Sequence, residues 1–209
     1  MTLSESAPRP SQPGALVARP SGTMFGAGPL LPTWLGTCTL LALAALAFSP
    51  IAATATVTAT STQLAVPVVQ QQPERCGQAA LVMVLRYWGA GGAALGECAS
   101  AYDPVLRGSL VTDVAAAARR AGFDAEVAGL DADSLIALVR AGVPPIVLYQ
   151  NGRWLTVRHF AVVTGWDPAR RAFTLNDGTS EPRTIGRADL DRRWKTAGSQ
   201  AVIVRKREP

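Results

Sequence analysis

Two residues of this chain could form a catalytic pair: its only histidine, His159, and the distant cysteine Cys76. Cys76 opens an apolar segment with a helical repeat, and the unpaired N–H groups and dipole at a helix N-terminus favour a thiolate. An imidazole has the pKa of a base that accepts a thiol proton near neutral pH. Gly77 would let the backbone of a substrate approach the sulfur closely. We therefore predict nucleophilic catalysis by Cys76 with His159 as its base.

A catalytic imidazole also needs a residue that orients it, and a developing oxyanion needs hydrogen-bond donors. His159 begins a predicted strand, and the next predicted strand ends at Asn176 and Asp177. In an antiparallel pair the end of one strand lies beside the start of its partner, so either side chain could reach His159. A glutamine of the run 70–72, together with the backbone N–H of Cys76, could form the oxyanion hole.

The hydrophobic pattern assigns these residues to secondary-structure elements. Apolar residues with a period near 3.6 predict a helix from Pro73 to Trp88, so that Cys76 lies in its first turn. Two further helices are predicted, from about Leu110 to Ala121 and from about Ala132 to Ala141, the latter with Asp131 as its N-cap.

Beyond residue 144 the pattern changes to that of strands. Strands are predicted at 145–149, 159–166, 172–176 and 200–204, with a short edge strand at 65–69. Helices followed by antiparallel strands predict one α+β domain, which we expect to span residues 64–209.

The N-terminal part of the chain has a different character. No charged residue occurs between Arg19 and Glu74, and Leu35–Phe48 is a hydrophobic run shorter than the roughly 20 residues of a bilayer span. The sequence Ala53-Thr54-Ala55 matches a signal-peptidase site. We predict that residues 1–55 are a signal peptide or an N-terminal membrane anchor and that 56–63 are a tether. The protein would then be exported to the periplasm or cell envelope, or anchored in the inner membrane by residues 33–55.

The residues around the predicted pair resemble a known family. Gln70, five intervening residues, Cys76-Gly77, the helix from Ala80 to Gly89, the run 159–163 and Asp177 are similar to the double-glycine, bacteriocin-processing cysteine peptidases of the papain-like clan. The similarity covers about residues 66–204. It implies a papain-like fold in which an N-terminal helical half packs on a C-terminal antiparallel sheet.

The resemblance also assigns roles. It implies that Cys76 is the nucleophile, His159 the base, Asp177 the orienting residue and Gln70 the oxyanion donor. It further implies a peptide or protein substrate cleaved after small residues such as Gly-Gly, and similarity to the stand-alone, exported members. The chain departs from the family in having Arg75 where an acidic residue commonly precedes the cysteine. It also has Gly178 where a proline often follows the aspartate, and Asn176 stays an alternative orienting residue.

Composition argues against other classes of function. The chain has 20 Lys and Arg against 15 Asp and Glu, yet its arginines are scattered and no basic stripe is interleaved with aromatic residues, so nucleic-acid binding is not expected. It lacks a GxxxxGK[ST] loop, which argues against nucleotide binding. One histidine and no CxxC motif supply too few ligands for a typical metal site, so no metal or other cofactor is expected.

Three alternatives remain open at the level of the sequence. Cys76 and Cys98 would be the only cysteines left after signal cleavage, and two cysteines in an exported protein often form a disulfide. The domain could be a non-catalytic binding or structural module of the cell envelope with the same fold. It could also be a thiol acyltransferase or amidase.

Overall fold

The computed structural model describes residues 60–152 and 157–208. The predicted signal peptide or anchor, residues 1–55, lies outside the described residues, as does the first half of the predicted tether, residues 56–59. Within the described part of the chain, no helix is both long enough and apolar enough to cross a membrane.

Five α-helices and one 3-10 helix occur in the described residues. They are α1 (Cys76–Tyr87), α2 (Gly92–Gly96), the 3-10 helix Glu97–Ala101, α3 (Val111–Arg120), α4 (Ala132–Arg140) and α5 (Arg187–Thr196). The three predicted helices are confirmed as α1, α3 and α4, each slightly shorter than predicted. Asp131 caps α4 as expected, because its carboxylate accepts a hydrogen bond from the Ser134 N–H at 2.8 Å.

In the part of the chain that the structure describes, seven strands form one antiparallel sheet in the order β2-β7-β3-β4-β5-β6, with β1 also paired to β4. Their bounds are β1 (Thr62–Gln63), β2 (Asp124–Gly129), β3 (Ile146–Asn151), β4 (Val157–Asp167), β5 (Ala172–Asn176), β6 (Arg183–Gly186) and β7 (Gln200–Arg205). The four predicted strands downstream of residue 144 are therefore confirmed. The sheet carries helices on both faces, with α1 and α3 against one side and α4 and α5 against the other.

The predicted edge strand at 65–69 is wrong. Pro67 has no N–H for a ladder, and the carbonyl of Val66 accepts a hydrogen bond from the side chain of Asn176 instead. The strand that forms in this part of the chain is β1, whose residues Thr62 and Gln63 pair with the interior strand β4. Sheet pairing thus begins two residues before the expected start of the domain at residue 64.

The elements that the sequence pattern does not predict include β2, β6 and α5. β2 is rich in Asp, Ala and Gly, which are poor strand formers, and it is held by six register pairs to β7. β6 is only four residues long. α5 is mostly charged, and only Leu190 and Trp194, four residues apart, are buried.

Candidate active site

The cleft that contains Cys76 forms where β4 extends beyond its neighbour β5. The last pair between these strands is Val162 with Asn176, so the backbone of β4 before Val162 has no strand on that side. α1 packs on β4 and places Cys76, its first residue, in this gap. His159 lies on this stretch, which pairs with β3 but not with β5. Its side chain forms a hydrogen bond with Cys76. The two residues that are far apart in the sequence therefore meet in the fold.

The surroundings of the sulfur favour its ionised form. Burial alone would raise the pKa of the Cys76 thiol, but hydrogen bonds from His159 and from the backbone N–H groups of Phe160 and Gly77 outweigh burial. The pKa of Cys76 consequently lies below its ordinary value. A sulfur at the start of a helix, with three donors around it, is the environment of a reactive thiolate.

The imidazole is shifted in the opposite direction. Burial lowers the pKa of His159, whereas its hydrogen bonds with Cys76 and with the backbone of Asp177 raise it, and the pKa is raised overall. A lowered thiol pKa beside a raised imidazole pKa is the arrangement that stabilises a thiolate–imidazolium ion pair.

The contact between His159 and Asp177 fixes the tautomer of the imidazole. Nε2 of His159 lies 2.7 Å from the main-chain oxygen of Asp177. A carbonyl oxygen can only accept, so Nε2 must carry a proton and donate it. The other ring nitrogen, Nδ1, is then left to exchange a proton with Cys76.

The predicted orienting residue is therefore in contact with His159, but through its backbone. The carboxylate of Asp177 accepts hydrogen bonds from the N–H and the hydroxyl of Thr179, at 3.3 and 2.7 Å, and lies 3.7 Å from Nε of Arg183. The alternative residue, Asn176, is buried and donates from Nδ2 to the Val66 carbonyl at 3.1 Å. Its side chain thus holds the segment that leads into α1.

The glutamines before α1 are not equivalent. Gln70, the predicted oxyanion donor, is exposed and lines a cavity of about 190 Å³ with Arg75 and Gln78. Gln71 also borders that cavity, but it additionally lines the cleft of about 530 Å³ that contains Cys76 and His159. Of these two glutamines, Gln71 and not Gln70 therefore lines the cleft that contains the sulfur. Three identical residues in a row left the sequence without a signal to distinguish them.

Gln71 is also tied to the loop that holds His159. Its backbone N–H donates to the carbonyl of Gly178 at 3.0 Å, and its Oε1 is buried without a hydrogen-bond partner among the described residues. Gly178 has a φ of +82°, and a Cβ at this position would lie 2.6 Å from Oε1 of Gln71. A proline, with φ fixed near −65°, could not occupy position 178. This explains the glycine found where the resembling peptidases often have proline.

The opposite wall of the cleft is formed by residues 106–111. Ser109 packs so closely on Gly77 that a Cβ on Gly77 would lie 2.6 Å from the Ser109 Cβ and 3.2 Å from the Phe160 ring. Three exposed apolar side chains, Leu106, Leu110 and Val157, also border this cleft. These three side chains give the cleft an apolar rim.

Arg75, the other departure from the resembling peptidases, has contacts of its own. Its guanidinium donates to Gln78 at 3.0 Å and lies 4.2 Å from the centre of the Tyr102 ring. The neighbouring Glu74, with a φ of +65°, forms an ion pair with Arg107 and accepts a hydrogen bond from the Tyr102 hydroxyl. These contacts connect the segment before the cysteine to the wall of the cleft.

Cys98 does not pair with Cys76, since both are free thiols. Cys98 is fully buried, and burial raises the pKa of its thiol to about 11. The disulfide considered from the sequence is therefore not formed. The thiol pKa is lowered at Cys76 and raised at Cys98.

Comparisons with known proteins identify the family of the chain. The model of the Peptidase C39 family matches residues 65–208. No curated protein sequence matches the chain significantly.

Several solved structures share the fold. A double glycine motif protease from an AMS/PCAT transporter, in complex with its leader peptide, is 23% identical with a TM-score of 0.56 and covers 70% of this chain and 95% of its own. A C39-like peptidase from Bacillus anthracis is 18% identical with a TM-score of 0.59, and covers 72% of this chain and 100% of its own. The peptidase domain of Streptococcus ComA is 18% identical with a TM-score of 0.56, and the match covers 68% of this chain and 99% of that domain. At these identities the structures establish the fold.

Proposed function

Because the chain belongs to the peptidase C39 family and is thus a cysteine-type peptidase, we propose that Cys76 is its nucleophile and His159 its general acid and base. The observation that carries this assignment is that Cys76 and His159 line one cleft and interact there through their side chains. The opposite shifts of the two pKa values support a resting thiolate–imidazolium pair.

In the first half of the reaction, the Cys76 thiolate attacks the carbonyl carbon of the scissile peptide bond. The tetrahedral oxyanion is stabilised by the backbone N–H of Cys76 and by the side-chain amide of Gln71, which replaces Gln70 in this role because it borders the cleft. The imidazolium of His159 gives its Nδ1 proton to the departing amine nitrogen. The C–N bond breaks, and a thioester on Cys76 and a neutral imidazole remain.

In the second half, His159 removes a proton from water, and the resulting oxygen nucleophile attacks the thioester. The carbonyl re-forms as the C–S bond breaks. Cys76 leaves as the thiolate and His159 is again protonated, which restores the starting ion pair. Throughout, the hydrogen bond from Nε2 to the Asp177 oxygen keeps Nδ1 directed at the reacting atoms.

The substrate is a peptide or protein, and cleavage occurs after small residues of the Gly-Gly type. A similar structure, that of a double glycine motif protease in complex with its leader peptide, supports this preference. The apolar rim formed by Leu106, Leu110 and Val157 supports binding of apolar side chains elsewhere in the substrate.

The site of action is the periplasm or cell envelope, reached through a signal peptide or anchor in residues 1–55. This part of the proposal is supported by the sequence alone, through the uncharged stretch between Arg19 and Glu74 and the apolar run 35–48 within it. Fractionation of cells that express the full chain, with the N-terminus of the mature protein determined by mass spectrometry, tests it. A mature protein that starts near residue 56 in the periplasm is expected, or the full chain in the membrane if the segment is an anchor. A full-length protein in the cytoplasm would contradict both.

The peptidase assignment is tested by incubating the full chain with a peptide library and identifying products by mass spectrometry. The wild type should release fragments that end in small residues, and Cys76→Ala should release none above background. Cys98→Ala serves as the matched control, since it removes the other thiol of the described domain, and it should give the wild-type products. Equal cleavage by Cys76→Ala and the wild type would refute the assignment of the nucleophile.

A further inference from the structure

The oxygen that orients His159 belongs to the backbone of a loop. Asp177 follows β5 directly, and residues 177–182 connect β5 to β6. Because this acceptor is a main-chain oxygen, its position is fixed only as well as the loop backbone that contains it. The position of the imidazole therefore depends on whatever holds the 177–178 peptide group in place.

The carboxylate of Asp177 is the anchor of this loop. It is 4% exposed, and a buried carboxylate requires partners that compensate for its lost hydration. Thr179 supplies two hydrogen bonds from within the loop, at 3.3 and 2.7 Å. The only cation paired with this carboxylate in the described residues is Arg183 on β6, with Nε 3.7 Å from Oδ2.

Arg183 also reaches the second neighbour of the imidazole. Its Nη2 donates to the hydroxyl of Tyr149 at 2.9 Å, and its guanidinium carbon lies 5.9 Å from the centre of the Tyr149 ring. Tyr149 is fully buried and is the register partner of His159 across β3 and β4. The two rings meet edge to face, with centroids 6.0 Å apart at 73°. One guanidinium thus contacts the group behind the orienting carbonyl and the ring beside the imidazole.

We propose that Arg183 is a positioning residue for His159, which it holds indirectly through the carboxylate of Asp177 and the hydroxyl of Tyr149. This inference rests on the proposed catalytic role of His159. An arginine suits the position because two separate nitrogens of its rigid plane, Nε and Nη2, reach the two acceptors, whereas a lysine has only one nitrogen to place between them. Its side chain is 40% exposed, so the ion pair alone contributes little to stability and its main effect is on the site.

Arg183 also contributes charge to the site. The groups that face His159 are the Cys76 sulfur on α1, the Asp177 carboxylate after β5 and the neutral Tyr149 on β3. Arg183 lies behind Asp177 and Tyr149, and Arg193 on α5 acts on Tyr149. The exposed Arg158 precedes His159 on β4. Because the Arg183 cation offsets the Asp177 anion, its removal should favour the imidazolium and move the basic limb of the activity profile to higher pH.

The test compares Arg183→Met, Arg183→Lys and Tyr149→Phe with the wild type. For each, kcat/KM is measured between pH 5 and pH 10 on a peptide that the wild type cleaves, and Cys76 alkylation by iodoacetamide over the same range. Arg187→Met is the matched control, since Arg187 forms an ion pair with Asp133 at 2.8 Å and its side chain is 30% exposed.

Arg183→Met should lower kcat/KM about 10- to 100-fold, as expected of a misplaced catalytic group, and shift the basic limb upward. Arg183→Lys keeps the charge, so it should keep the wild-type profile while losing part of the rate. Tyr149→Phe should also lose part of the rate without a shift. Arg187→Met should match the wild type in kcat/KM and in its pH profile. If Arg183→Met does not fold, as judged by thermal unfolding, Arg183→Lys and Tyr149→Phe carry the test.

Two outcomes would overturn the inference while leaving the peptidase assignment intact. One is wild-type kinetics in Arg183→Met. The other is a loss of rate that only follows a loss of thermal stability, with the pH profile unchanged and Arg183→Lys no better than Arg183→Met. A failure of the assignment itself has a separate signature: Cys76 is alkylated at the same rate in His159→Ala as in the wild type. That result would remove the inference as well.

Discussion

His159 donates its Nε2 proton to the main-chain oxygen of Asp177, 2.7 Å away, while the carboxylate of the same aspartate turns to Thr179 and Arg183. The aspartate thus separates two tasks that one side chain could have performed. Its carbonyl sets the tautomer of the imidazole, and its carboxylate holds the loop. The negative charge of the Asp177 carboxylate also raises the pKa of His159, in addition to the effect of the hydrogen bond to the Asp177 backbone.

This division predicts an unequal response to substitution at position 177. Asp177→Asn keeps the carbonyl and an oxygen that can accept from Thr179, so kcat should fall only several-fold, about the effect of one lost charge interaction. Asp177→Ala removes the loop anchor and should lower kcat about 10- to 100-fold. Steady-state kinetics at the pH optimum measure both. A loss in Asp177→Asn as large as in Asp177→Ala would show that the charged carboxylate itself orients the imidazole.

The two neighbouring glutamines should also differ. Gln71→Ala should lower kcat about 100-fold, the typical cost of removing one oxyanion donor, with KM little changed. Gln70→Ala, the matched control one residue away, should leave kcat within about twofold because Gln70 is exposed and borders a different cavity. Single-turnover rates of acyl-enzyme formation separate the chemical step from binding. The reverse order of effects would return the role to Gln70.

The two free thiols should react very differently. The pKa of Cys76 is lowered, whereas burial raises that of Cys98 to about 11. At pH 7 a small alkylating reagent should therefore modify Cys76 and leave Cys98 as an unreactive thiol. Peptide mapping by mass spectrometry after brief labelling identifies the modified residue. Modification of Cys98 at a comparable rate in the folded protein would contradict the assigned environments.

The tight contact at Gly77 predicts a substitution that can be rescued. Gly77→Ala places a Cβ 2.6 Å from the Ser109 Cβ, which forces the wall of the cleft outward and should destabilise the fold by about 1–3 kcal/mol. Activity should fall as well, since Gly77 adjoins the nucleophile. Adding Ser109→Gly to Gly77→Ala removes the colliding atoms of Ser109, so the double variant should recover part of the lost stability and part of the lost activity. Thermal unfolding and kinetics of the single and double variants provide the comparison, and purely additive losses would contradict the packing.

Much of this site was readable in the sequence. The apolar period of α1 and the strand character of β4 placed a cysteine at a helix start and a histidine at a strand start, and the residue types then suggested their chemistry. Asp177 could be located from strand pairing. What the sequence could not indicate was the use of a backbone oxygen, because every residue has one and no side-chain type marks it.

Other features were hidden for related reasons. The three glutamines before α1 carry the same chemistry, and only the chain path through Pro73 and the left-handed Glu74 decides which of them borders the cleft. Arg183 is one of many scattered arginines, and it lies on β6, a strand too short to give a pattern. Its contacts with Asp177 and Tyr149 depend on sheet order, which local sequence does not encode.

The ion pair between Cys76 and His159 is the central claim, and the rate of Cys76 alkylation as a function of pH measures it directly. In the wild type, rapid labelling should persist well below the ordinary thiol pKa of about 8.5, because the imidazolium stabilises the thiolate. In His159→Ala, labelling at pH 6 should fall by about 10-fold or more, with the midpoint moved toward the ordinary thiol value. Superimposable profiles for the two proteins would show that the imidazole does not activate the sulfur.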